Sequence, residues 1–212
     1  MGDPVSAVTD LALGVVAAWC WWRLVRRPAG GGPWAPVFGL VAVAALAGGG
    51  FHTVTSRDDA SGAVAWDAIG LALVLSLGFL ASASVAETLP ARATRLRMVF
   101  PVACGAIYVA LAALGEGGPD AVALASAPAN LATVALWLRA LSRRHPRAPA
   151  VLLAMVVSGL AALARVGAEA ADAAALHPDG VYHLAQIPGV VLLYLAVGRP
   201  RPWPSVRAWA AA

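Results

Sequence analysis

Hydrophobic residues fall into seven runs, at about 5–25, 35–56, 62–86, 98–114, 121–141, 149–173 and 178–198. Each is close to the roughly 17 to 25 residues that a helix needs to cross a ~30 Å hydrocarbon core. Turn chemistry stands between the runs: Arg-Arg-Pro-Ala-Gly-Gly-Gly-Pro at 26–33, Asp-Asp-Ala-Ser-Gly at 58–62, Leu-Pro at 89–90, Gly-Glu-Gly-Gly-Pro at 115–119, His-Pro-Arg-Ala-Pro at 145–149 and His-Pro-Asp-Gly at 177–180. Connections this short make consecutive helices antiparallel. The pattern predicts an all-α integral membrane protein, a seven-transmembrane-helix bundle forming one domain over 1–200, followed by an interfacial tail at 201–212.

Composition supports this. The 212 residues are 60% hydrophobic and 12% charged, with a mean hydropathy of +0.76, more apolar surface than a soluble domain can cover. The net charge of +4 would suggest nucleic acid in a soluble protein; here the arginines sit between apolar runs and report topology, so no nucleic-acid partner is expected. The first run follows an acidic Met-Gly-Asp-Pro with no basic region and is expected to stay as a helix. Cys20 and Cys104 form no CxxC motif and read as packing residues. All fifteen basic residues are arginine and alanine is abundant, which suggests a GC-rich bacterial source and the bacterial plasma membrane as the location.

Thirteen of the fifteen arginines fall on one side of the predicted bundle: Arg23, Arg26 and Arg27; Arg92, Arg95 and Arg97; Arg139, Arg143, Arg144 and Arg147; Arg199, Arg201 and Arg207. Arg57 and Arg165 are the exceptions. Positive residues in short loops favour the cytoplasm, so the N-terminus is expected outside and the C-terminus inside. Trp19, Trp21, Trp22, Trp34 and Trp137 fall near the same inner boundary, where an aromatic belt is expected.

At 1.5 Å of rise per residue, His52, Asp67 and His183 each lie roughly 6 to 8 Å in from the outer boundary. Asp10, Glu169 and Asp172 approach that level, whereas the inner halves are almost free of ionisable groups apart from Glu87. Such groups cost about 2.5 to 3.5 kcal/mol each in a bilayer and normally face the bundle interior with a partner or a function. Asp179 and His183 are i and i+4, so a helix stacks them on one face. Imidazoles and carboxylates together suit zinc with an open position for water. Plainer readings stand beside this. Asp67 suits a helix start, Asp179 follows Pro178 as at an ordinary helix start, and Arg165 with Glu169 makes an i, i+4 ion pair. His177 and His145 read as loop residues, the latter solvated. Asn130, Pro101, Pro128 and Pro188 read as sites of interhelical hydrogen bonding and kinks.

The arrangement resembles the seven-helix superfamily of membrane hydrolases that includes alkaline ceramidases and progestin/adipoQ receptors. Members carry Ser-x3-His late in the second helix, Asp early in the third and His-x3-His early in the last. His52 in Gly-Gly-Gly-Phe-His, Asp67 and His183 match three of these positions, while Gly48 stands for the serine and Asp179 for the first histidine of the final pair. The resemblance implies a Zn2+ held by His52, His183 and Asp179, Asp67 as the catalytic base or water-orienting group, and a lipid amide or ester substrate reached from the membrane near the outer leaflet. The alternative expectation is a non-catalytic seven-helix sensor or small-solute or proton transporter using the same cluster.

Overall fold

The computed structural model describes residues 4–27, 32–54, 60–170 and 178–198, with the side chains at 54, 60, 91, 92, 94 and 165–170 excepted. Arg57, Asp172, His177 and the 201–212 tail lie outside the described residues, as do the side chains of Arg165 and Glu169.

Seven α-helices make up the described chain: α1 Pro4–Val25, α2 Ala35–Val54, α3 Ala60–Thr88, α4 Val99–Ala113, α5 Pro119–Ser142, α6 Ala148–Ala170 and α7 Pro178–Val197. Short 3-10 segments at Gly32–Trp34 and Ala91–Leu96 precede α2 and α4. The breaks follow local chemistry. Gly115 at φ +81° donates its N–H to Ala112 O and ends α4, since a left-handed residue after a helix favours glycine. Pro119 then opens α5 and Pro178 opens α7, where a missing N–H costs nothing.

Five helices are long and apolar enough to cross a membrane: α1, α3, α5 and α7, and α2 with the preceding turn. The fifteen residues of α4 span only about 22 Å, and the described apolar stretch of α6, Ala148–Ala164, is also shorter than the others.

Sequential helices pack against one another, α3 also packs on α5, and α7 returns to α1 so that the ring closes. Antiparallel alternation sorts the residues to two ends. At one end, Cys20, Leu24, Trp34, Phe38, Trp137, Val151 and Tyr194 form the largest core cluster, with Arg23, Arg26, Arg27, Arg139, Arg143 and Arg147 on the helix ends around it. Toward the other end lie Phe51, Trp66 and Ile69. Cys20 and Cys104 are both buried free thiols.

Several expectations change here. Trp19, Trp21 and Trp22 are exposed as a belt requires, but Trp34 and Trp137 are core residues, 4% and 0% exposed. Trp34 Nε1 donates to Glu87 Oε2 at 2.7 Å and Trp137 Nε1 to Ser84 Oγ at 2.8 Å. Their polar edges are spent inside the bundle, so they have no need of an interface. His145 is not solvated either: it is buried with its ring edge-on to Trp137 at 5.4 Å, because the turn after α5 folds inward. Asn130 Nδ2 lies 3.4 Å from Ser126 Oγ in its own helix, a local contact and not an interhelical one.

Candidate functional site

The site forms where α1, α2 and α7 meet. Two close approaches make it possible. Gly180, buried in the first turn of α7, would place a Cβ 3.0 Å from Val5 Cγ1 of α1, so α7 packs tightly there only without a side chain. Gly48 of α2 lies against the Asp10 carboxylate so closely that a Cβ would collide with Oδ2.

Asp10 occupies the space that Gly48 leaves. It is buried, with Oδ2 at 3.6 Å from His52 Nε2 and Oδ1 at 3.3 Å from His183 Nε2. One carboxylate thus stands between imidazoles from helices 131 positions apart in the chain. On its other edge, His183 Nδ1 lies 3.4 Å from Thr9 Oγ1, which bonds to Val5 O at 2.9 Å. With its hydrogen on Nε2 the ring donates to Asp10; with its hydrogen on Nδ1 it donates to Thr9 Oγ1 and turns the Nε2 lone pair toward Asp10. The second arrangement sets two electron-rich atoms face to face, with room between them for a cation.

Asp179 sits half-buried in the first turn of α7, near enough for its charge to act on Asp10. Gln186, one turn beyond His183, turns instead to Ser158 O of α6 at 3.4 Å. Asp67 is elsewhere: Tyr108 Oη donates to its Oδ1 at 3.4 Å, and Gly117 of the α4–α5 turn closes over the same oxygen. No hydrogen bond or ion pair joins Asp67 to either histidine among the described residues.

The structure therefore brings His52 and His183 together, sets Asp179 at the edge, and gives Asp67 a different neighbourhood. Sequence reasoning missed that Asp10 is the centre, with Thr9 behind His183. The available signal was a single carboxylate inside the first apolar run at the same depth as the histidines.

Donor types suit zinc, and each imidazole–carboxylate distance taken singly matches the roughly 3.3 to 3.6 Å between donor atoms of a tetrahedral site with bonds of about 2.0 to 2.2 Å. Convergence is another matter. Among the described residues no group of three or more His, Cys, Asp or Glu is gathered as a metal cluster, since the imidazoles address different oxygens of Asp10 and their centroids are 6.3 Å apart. A cavity of about 200 Å³ lined by Pro146, Arg147, Leu153, Leu192 and Leu195 lies at the arginine-rich end, away from this cluster.

A family model described as "Family of unknown function (DUF6962)" matches residues 5–202. No curated protein and no solved structure matches the chain.

Proposed function

The chain belongs to the DUF6962 family of unknown function, and we propose that it is a seven-span membrane protein whose His52–Asp10–His183 cluster binds zinc and hydrolyses a lipid amide or ester. In this reading the arginine-rich end is cytoplasmic, the N-terminus is outside, and the membrane is the bacterial plasma membrane. The observation that carries the reading is the single buried carboxylate flanked at 3.3 and 3.6 Å by two imidazoles. Three protein donors with a free position are what a catalytic zinc requires.

His52 and His183 through Nε2, and Asp10 through a carboxylate oxygen, would hold the ion. Bound there, zinc supplies Lewis acidity and a water that ionises near neutral pH. Thr9 orients the His183 ring through Nδ1, as outer-shell groups do for metal-bound imidazoles. Asp179 adds negative charge at the rim and takes no ligand position, unlike the role implied by the resemblance. Asp67, engaged by Tyr108 and Gly117, has no part in this reading, and Asp10 would act as a ligand alone. Exposed Val8, Leu11 and Leu184 flank the site, which supports entry of an apolar substrate from the bilayer.

A second reading is favoured by one observation. Each imidazole already faces its own oxygen of Asp10, so the three groups also make a continuous chain for proton transfer of the kind found in membrane transporters.

Metal analysis of the purified chain decides between them. The zinc reading expects about one equivalent in wild type, lost in His183→Ala and Asp10→Ala and kept in Asp179→Ala. Absence of zinc in wild type, with proton flux in proteoliposomes abolished by Asp10→Asn, assigns the cluster to the second reading.

A further inference from the structure

The arginine-rich end carries a second assembly, independent of the histidine cluster. The last turns of α1 carry Trp19, Trp21, Trp22 and Arg23, and Arg26 and Arg27 follow directly after the helix. Arg26 lies over the Trp22 ring at 4.2 Å and Arg23 over Trp19 at 5.7 Å. Trp19 meets Tyr194 of α7 at 5.4 Å between centroids, and Arg27 lies over that same Tyr194 at 5.9 Å. The result is a shelf of alternating guanidinium and aromatic groups bridging the ends of α1 and α7.

Two properties make the shelf more than a generic band of arginines. First, each guanidinium is held over a ring at cation–π range, with Arg26 at 4.2 Å close enough to stack, and a guanidinium stacked by its face keeps the edge donors whose fork matches phosphate oxygens. Second, among the described residues no carboxylate forms an ion pair with Arg23, Arg26 or Arg27. At the same end Arg147 is already neutralised by Glu87 at 2.6 Å.

The surroundings fix the class of anion. Trp19, Trp21 and Trp22 are 42 to 50% exposed on a helix long and apolar enough to span a membrane, and exposed indoles at such a helix end sit at headgroup level. An anion arriving there comes with acyl chains that cover the same indoles. We infer that Arg23, Arg26 and Arg27, held over Trp19, Trp22 and Tyr194, form a binding site for the phosphate of an anionic phospholipid in the leaflet at the C-terminal end of α1.

Native mass spectrometry of the full chain in detergent tests this, titrating phosphatidylglycerol against phosphatidylcholine of the same acyl composition. Wild type is expected to retain the anionic lipid preferentially. Arg23→Gln and Arg26→Gln should each weaken that retention about fivefold, the effect of one arginine near an anionic headgroup, and leave phosphatidylcholine unchanged. Arg26→Lys, which keeps the charge and gives up the planar stack, should fall between. Equal retention of the two lipids by wild type would overturn the site. So would an equal loss in Arg139→Gln/Arg143→Gln, which would make the attraction diffuse. Displacement of the lipid by inorganic phosphate, or by a polyglutamate peptide at the same concentration, would overturn the assignment to a lipid.

Discussion

Glu87 of α3 and Arg147, the residue before α6, meet at 2.6 Å, with side chains only 7% and 16% exposed. The second oxygen of Glu87 takes the indole N–H of Trp34, so one carboxylate fastens three separate elements. Removing one member of a buried ion pair leaves the other charged and desolvated, at a cost of about 3 to 5 kcal/mol. Glu87→Ala should therefore lower the thermal stability of the purified chain more than Glu87→Gln, whose amide still accepts from Trp34. Equal stability of wild type and Glu87→Ala would show the pair to be solvated.

His145 lies beside this pair, outside the spans. Burial holds its imidazole below the usual value near 6.5, with Glu87 opposing and Arg147 adding to the effect. Its Nδ1 also accepts the Arg147 backbone N–H at 3.2 Å, a bond that protonation would remove. A histidine depressed in the folded state stabilises the fold fully above its unfolded pKa and loses that contribution as pH falls below about 6.5. The stability difference between wild type and His145→Gln, measured by intrinsic fluorescence, should be constant above pH 7 and shrink on acidification. A difference that grows as pH falls would reverse the sign of this argument.

Gly48 and Asp10 form a coupled pair, because a Cβ at 48 would collide with Asp10 Oδ2. Gly48→Ser alone should destabilise by about 1 to 3 kcal/mol, as overpacking does. In an Asp10→Ala background the same change should be tolerated, with a coupling energy of about 0.5 to 3 kcal/mol. Additive effects in this cycle would separate the two residues.

Orientation has a direct readout. A reporter fused after the last residue should be active only in the cytoplasm, because the described arginines other than Arg165 gather at the end where α1 and α7 finish. External activity would place the histidine cluster in the inner half.

Most helix boundaries were legible because Pro, Gly and Arg mark them: the run at 98–114 became Val99–Ala113, and that at 121–141 became Pro119–Ser142. Depth along each helix was legible too, which is why His52 and His183 were placed at one level. Azimuth was not. These helices are apolar nearly all round, so no stripe tells a core face from a lipid face. For that reason Trp34 and Trp137 looked like belt residues, and Asp67 looked like a companion of His52 when α3 turns it toward Tyr108. The contact of α1 with α7 is written in no local pattern, and Asp10 could join the site only through it.

That ring closure sets an order of events. Asp10 is made with the first helix and His52 with the next, but His183 and Gly180 are made only after six helices have preceded them. During synthesis the carboxylate must wait, half-matched, for nearly the whole chain. The last helix is thus the keystone of assembly: a chain that stops before Pro178 lacks both the closing contact on α1 and the second imidazole on Asp10.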